Sequence, residues 1–325
     1  MKALVTRHFG EHPQMAVEQR PEPVIRPGHS LIQVHATTVN PLSNQIRHGL
    51  VPQSTAPLVL SNDGAGVVLQ SDVFAVGQRV AIYGAGALGI TEDGLQQQLA
   101  VVRNDWLMMV PETLSLEQAA ALPINYVSAL QAIRRVGQLQ PDQTVLISGG
   151  SGSVGSALIQ LCKAYGAIVL ATVSSVPKAE HASRMGADQV IDLSSRLLSH
   201  AVYEYTNSAG VDLAFDTVGG ELTGQLVSAL KTRGALVSIG FAGGTHANID
   251  LMDVVVFEKR ILGFDAHLET DEDVMDALAE LYLLAAEGKI CPHIDSVYPL
   301  GQFEAAYARL ESRQAMGPIL LRLED

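Results

Sequence analysis

The run Gly150-Ser151-Gly152-Ser153-Val154-Gly155 follows directly on the apolar stretch Val145-Leu146-Ile147. This junction constrains the fold more than any other part of the chain. A strand that runs into closely spaced glycines and then into a helix can seat a pyrophosphate. One glycine permits the tight turn, the next lets phosphate approach the backbone, and the third lets helix and strand pack closely. The helix N-terminus then turns free N–H groups toward the negative charge. Glycines in this spacing also occur in ordinary turns, so the flanking segments carry the reading. Residues 145–148 predict a buried parallel strand. Residues 153–165 predict a helix, with Leu158, Leu161, Cys162 and Tyr165 at helical spacing. Gly150, Gly152, Ser153, Val154 and Gly155 are therefore the expected cradle for a dinucleotide.

A length of 325 residues points to two domains, and 47% hydrophobic with 17% charged residues fits well-packed globular structure. A net charge of −13 speaks against a nucleic-acid or anionic-membrane surface, which needs clustered Lys and Arg. Cys162 and Cys291 are the only cysteines, too few for a metal quartet or a disulfide framework. The opening Met-Lys-Ala-Leu-Val-Thr-Arg-His becomes polar too early for a signal peptide, and no apolar run approaches the ~18 residues of a membrane span. The expectation is a soluble, cytoplasmic protein.

Residues 1–119 read as β-rich, with strands near 31–35, 64–69, 78–82 and 99–102 and prolines punctuating the loops. Ser115-Leu-Glu-Gln118 has the form of a capping box and starts a helix into Ala119-Ala120-Ala121, where the chain is expected to change domain. Strands then alternate with helices: strands at 144–148, 167–173, 189–192, 211–216, 235–240 and 260–264, helices from about 153, 177, 195 and 221. This rhythm implies a parallel sheet covered on both faces. Residues 271–288 form an amphipathic helix with Val274, Leu278, Leu281 and Ala285 on one stripe. The tail, with strands near 295–298 and 319–323, is expected to fold back onto the first domain. The division is thus 1–119 with 290–325, and 120–289.

An acidic residue about twenty positions past the glycines would hold the ribose diol of NAD. Here the second strand ends in Thr172-Val173-Ser174-Ser175-Val176-Pro177-Lys178, and no acid occurs before Glu180. Ser174, Ser175 and Lys178 would bind a 2′-phosphate that a carboxylate would repel, which favours NADPH. The alternative is that the serines cap the next helix and Lys178 is solvated surface.

At these residues the chain resembles the medium-chain dehydrogenase/reductase superfamily, in its zinc-independent quinone oxidoreductase (zeta-crystallin-like) branch. Val39-Asn40-Pro41 with Ile46-Arg47-His48-Gly49 resembles the branch's Asn-Pro loop near substrate. Val110-Pro111 and Ser115 through Pro123 resemble its domain-crossing segment. Val211 through Gly220, ending Asp216-Thr-Val-Gly-Gly, and Ser238-Ile239-Gly240-Phe241 resemble strand ends beside the cofactor. The resemblance implies an α/β protein with a GroES-like β-rich catalytic domain and a Rossmann domain built on a doubly wound parallel sheet. It also implies a homodimer joined at the strand near 261–264. Zinc-dependent members carry Gly-His-Glu where this chain has Ser61-Asn62-Asp63. An amide is a poor zinc ligand beside imidazole, and His35, His48 and His246 have no ligand spacing, so no metal is expected. The chain departs from the branch at Gln45, at Gln96-Gln97-Gln98, at Leu193 and at Pro318, positions where the branch commonly carries Tyr, Tyr and Glu, Tyr or His, and Lys.

The implied chemistry is metal-free hydride transfer from NADPH to a quinone, an enone or a related carbonyl. Such a site needs alignment and hydrogen-bond donors for the oxygen that gains charge. By the resemblance, Asn40 is expected near substrate and nicotinamide, Ser128 beside the nicotinamide, and Gly240 and Phe241 along the cofactor, while Tyr126 and Tyr83 are candidates to line the cleft. Asn40 as a turn former before proline, Ser128 as an ordinary helix hydroxyl and Tyr126 as a core residue are the competing assignments. An enoyl-thioester reductase and a non-catalytic NADPH-binding protein are the alternative functions.

Overall fold

The computed structural model describes residues 1–323. The chain divides into two compact units, Met1–Ile124 with Glu269–Asp325, and Asn125–Leu268. The first unit is built around the long strand His29–Val39. This strand pairs antiparallel with Asp63–Gln70, Leu99–Arg103 and Ile319–Arg322. Arg79–Tyr83, Leu107–Met109 and Ser296–Pro299 complete that sheet, and Gln14–Gln19, Lys2–His8 and Leu58–Val59 form a second one. Alternating side chains of His29–Val39, Ile32 and Val34 among them, enter a core with Leu4, Ile46, Leu60, Val68, Val80, Ile82, Leu95 and Tyr307. The tail thus returns to the first unit through the pairing of Ile319 with Val39.

The helix Asp271–Ala286 corrects the sequence reading, which placed residues up to 289 in the second domain. It belongs to the first unit. Arg103 and the Trp106 indole both reach the Asp271 carboxylate, at 2.9 and 3.4 Å, and Thr113 Oγ1 donates to the Ala285 carbonyl at 2.8 Å. The stripe of Val274, Leu278, Leu281 and Ala285 is buried as its spacing requires. Spacing fixes which face is buried, not which partner covers it.

The second unit carries six parallel strands in the spatial order Gln189–Asp192, Ile168–Val173, Thr144–Ile147, Val211–Asp216, Leu230–Ser238, Arg260–Gly263. In chain order this is 3-2-1-4-5-6, so the winding reverses beside Thr144–Ile147. Helices Ser153–Ala164, Val176–Arg184, Leu198–Tyr205 and Glu221–Ser228 connect the strands. The first of them stops at Gly166, whose φ of +79° suits the left-handed turn. There the Ala167 N–H returns to the Cys162 carbonyl at 2.9 Å. Helix Pro123–Gln131 runs into a π-helical turn, Ala132–Gly137, which the sequence pattern did not reveal. No helix among the described residues is long and apolar enough to cross a membrane.

The capping box is complete: Ser115 Oγ accepts the Gln118 N–H at 3.1 Å and Gln118 Oε1 accepts the Ser115 N–H at 2.9 Å. Ser115→Ala is expected to cost ~1 kcal/mol of stability, measured by urea unfolding.

Candidate functional site

At the carboxyl end of Thr144–Ile147 each glycine has its own reason. A Cβ on Gly150 would lie 2.8 Å from the Ala171 Cβ, and one on Gly155 would lie 2.1 Å from the Gly149 carbonyl oxygen. These two positions therefore set how closely the turn, its neighbouring strand and the helix pack. A Cβ on Gly152 would meet nothing closer than 3.4 Å, so its backbone faces open space. Gly152 is the N-cap of Ser153–Ala164, and no side chain caps that helix. The N–H groups of Ser153, Val154 and Gly155 occupy its first turn, where an α-helix has no internal acceptor for them. An anion is the natural partner for this turn.

The loop is held in place by a buried carboxylate. Asp216 is fully buried, and its oxygens accept from Ser148 Oγ at 2.7 Å, the Val218 and Gly219 N–H groups at 3.0 and 2.9 Å, and Thr223 Oγ1 at 2.6 Å. Ser148 Oγ in turn accepts the Thr217 N–H at 2.9 Å, and Thr217 Oγ1 donates to the Ser148 carbonyl at 2.8 Å. This bracket spans the point where the sheet winding reverses. Gly240 extends it, since a Cβ there would sit 2.6 Å from the Thr217 carbonyl oxygen, and Phe241 beside it is exposed. The sequence reading quoted Asp216 but gave it no role, because a buried carboxylate leaves no periodic signature.

At the end of Ile168–Val173, Lys178 Nζ lies 3.4 Å from Ser174 Oγ, so the structure brings these two together. Ser175 is the N-cap residue of Val176–Arg184, yet its side chain makes no capping bond. Capping therefore does not account for the Ser175 hydroxyl. The donor set on residues 174–178 is two hydroxyls and an ammonium, which suits a phosphate. Together with the uncapped helix turn, these residues fit a phosphorylated dinucleotide.

Tyr126 and Ser128 lie on Pro123–Gln131 in the second unit, and both are buried. The Tyr126 hydroxyl donates to Gln160 Oε1 at 3.0 Å, on the glycine-loop helix. That bond ties Tyr126 to the glycine-loop helix.

Asn40 belongs to the first unit, and its amide is used internally. Its Oδ1 accepts from the Ser43 N–H and hydroxyl at 3.1 and 3.2 Å, capping Pro41–Arg47. Its Nδ2 points to Thr38 Oγ1, Asn62 Oδ1 and Asp63 Oδ1 at 3.2, 3.3 and 3.4 Å. The turn-forming assignment for Asn40 is thus the one this geometry matches. Behind Asn40 sits Asp63, wholly buried, with Thr38 Oγ1 also donating to its Oδ1. Burial pushes the Asp63 carboxyl up to about 7, against smaller opposing effects from Thr38, the Ile124 amide and Asn40. The folded state therefore keeps a proton that the unfolded chain releases above about pH 4. Stability falls as pH rises from 4 toward 7 and stays lower above it. Asp63→Asn is expected to remove this loss. Its stability advantage over the natural chain grows from near zero at pH 4 to at most ~4 kcal/mol at pH 8, read by denaturant unfolding across that range.

Residues 26–112 match the alcohol dehydrogenase GroES-like domain family and residues 153–281 the zinc-binding dehydrogenase family. The chain is 30% identical over 328 residues to quinone oxidoreductase 1 of Escherichia coli K12, covering 97% of each. It is 28% identical to the synaptic vesicle membrane protein VAT-1 homolog of Danio rerio, covering 99% of this chain and 70% of the relative. Among solved structures, Escherichia coli quinone oxidoreductase complexed with NADPH superposes with a TM-score of 0.85 at 26% identity, covering 99% of this chain and 100% of that one.

Proposed function

Because the chain belongs to the medium-chain dehydrogenase/reductase superfamily, we propose that it is an NADPH-dependent reductase of quinones, enones or related carbonyls. One observation carries the cofactor choice: Ser174 and Lys178 meet at the end of the second parallel strand, where an NAD site would place an acid. Bound NADPH supplies the hydride. The chain's own residues do the rest. The N–H groups of Ser153, Val154 and Gly155 hold the pyrophosphate, while Ser174, Ser175 and Lys178 hold the 2′-phosphate. Gly240 and Phe241 flank the cofactor from the neighbouring strand end, and Ser128 offers a hydroxyl to its nicotinamide end. Similarity to quinone oxidoreductases supports an electrophilic conjugated carbonyl as acceptor.

The Asn62 amide at the position of the zinc-ligand histidine supports a reaction driven by cofactor and hydrogen bonds, since an amide oxygen holds zinc far less well than imidazole. Titration of nicotinamide fluorescence is expected to show tighter binding of NADPH than NADH. Lys178→Glu should weaken NADPH about tenfold or more while leaving NADH nearly unchanged. Equal affinities in the natural chain would overturn the assignment. A panel of quinones, enones and aldehydes assayed by NADPH oxidation then ranks the acceptors.

The same reading includes a homodimer. Arg260–Gly263 is an edge strand of the parallel sheet, and Leu251, Val255, Val256 and Ile261 nearby are exposed. An open apolar edge invites pairing with a second copy about a two-fold axis. Sedimentation velocity should give a dimer for the natural chain and a monomer for Ile261→Lys.

A further inference from the structure

We infer that His181 is a positioning residue for NADPH: through Ser156 it fastens the helix that carries Lys178 to Gly150 in the phosphate-binding turn. The inference rests on the cofactor reading above and adds a residue which that reading leaves unused. His181 and Ser156 are both buried, His181 completely. His181 lies on Val176–Arg184, and its Nε2 is 3.0 Å from Ser156 Oγ on Ser153–Ala164. Ser156 Oγ also donates to the Gly150 carbonyl at 3.4 Å, outside its own helix. A hydroxyl has one proton, and a carbonyl only accepts. With that proton turned to Gly150, the bond between Ser156 and His181 needs a hydrogen on Nε2. The chain therefore runs from the His181 Nε2–H to Ser156 Oγ, and from the Ser156 O–H to the Gly150 carbonyl.

The place of this chain gives it its use. Three polar contacts join Ser153–Ala164 to residues 181–188: Ser156 with His181, Gln160 with Met185 at 3.3 Å, and Lys163 with Asp188 at 2.8 Å. The first continues into the glycine turn, and the other two lie toward the far end of the helix. On the other side of the turn, the Gly150 N–H donates to the Thr172 carbonyl at 2.9 Å. Lys178 precedes His181 by three residues, so the two are neighbours on their helix, and Lys178 is half-buried. The turn assigned to the pyrophosphate and the helix assigned to the 2′-phosphate are thus coupled by two hydrogen bonds. A ligand that engages both benefits from their fixed spacing, because its binding then orders fewer groups. NADH engages the turn but has no 2′-phosphate, so it does not sense that spacing.

The test measures the affinities of NADPH, NADH and 2′,5′-ADP for the full chain, by nicotinamide fluorescence and calorimetry. His181→Leu fills the space with an apolar side chain and removes the bond. It should weaken NADPH and 2′,5′-ADP about fivefold and leave NADH within about twofold. Ser156→Ala should give the same loss, and the double variant no more than either single change, because each breaks the same chain. His181→Gln carries an N–H donor near the Nε2 position and should restore the natural preference. Lys163→Met breaks the far contact and should lower the unfolding midpoint without moving the ratio of NADPH to NADH affinity. Nitrogen-15 spectra of histidine-labelled protein should show a proton on His181 Nε2. An Nε2 without that proton overturns the proposal. So does an unchanged affinity ratio in His181→Leu and Ser156→Ala, or equal weakening of both cofactors, which marks a purely structural bond; in each case the reductase reading stands. If His181→Leu does not fold, Ser156→Ala decides by the same ratio. If the natural chain binds no NADPH, the reductase reading fails and takes this proposal with it.

Discussion

Gly155 brings its Cα against the Gly149 carbonyl so closely that a Cβ would lie 2.1 Å from that oxygen, and the whole nucleotide end of the second unit depends on this approach. It sets the angle at which Ser153–Ala164 leaves the turn and so where its first N–H groups point. Side-chain capping would satisfy those groups and close the site to an anion, and none occurs. The fold thus leaves a small electrostatic debt at the sheet's winding reversal, to be met by a phosphate.

Two buried aspartates show how the same side chain is put to different uses. Asp216 has donors on both oxygens and fastens three loops at the strand ends: the glycine turn through Ser148, the Thr217–Gly219 segment, and the start of Glu221–Ser228 through Thr223. It is a structural carboxylate, saturated by design of its surroundings. Asp63 has donors on Oδ1 alone, and burial holds it near neutrality in its protonation. Donors on both oxygens make Asp216 a fastening point, whereas burial raises the Asp63 carboxyl against only uncharged donors.

The glycine turn, the six parallel strands and most connecting helices were legible in the sequence because each is a local pattern: apolar runs, helical spacing and turn chemistry that do not depend on distant residues. The capping box at Ser115 was legible for the same reason, since its two bonds lie within four residues. The helix Asp271–Ala286 was legible as a helix but not as part of the first unit. Its partners Arg103, Trp106 and Thr113 lie more than 160 residues away in sequence. Asn40 was picked out by its Asn-Pro context, but the side chains that occupy its amide, Thr38 and Asp63, are aligned by pairing of two separate strands.

The sequence by itself determined the doubly wound sheet, the phosphate-binding turn and the lack of an acid at the ribose position, since these follow from short-range sterics and from which charges are present. Only the tertiary structure decided which carboxyl takes donors on both oxygens and which is raised by burial, that Tyr126 bonds Gln160, and that Asn40 caps its own helix. Those outcomes depend on burial and on donors supplied across strand registers, and both come into being only when distant segments pack together.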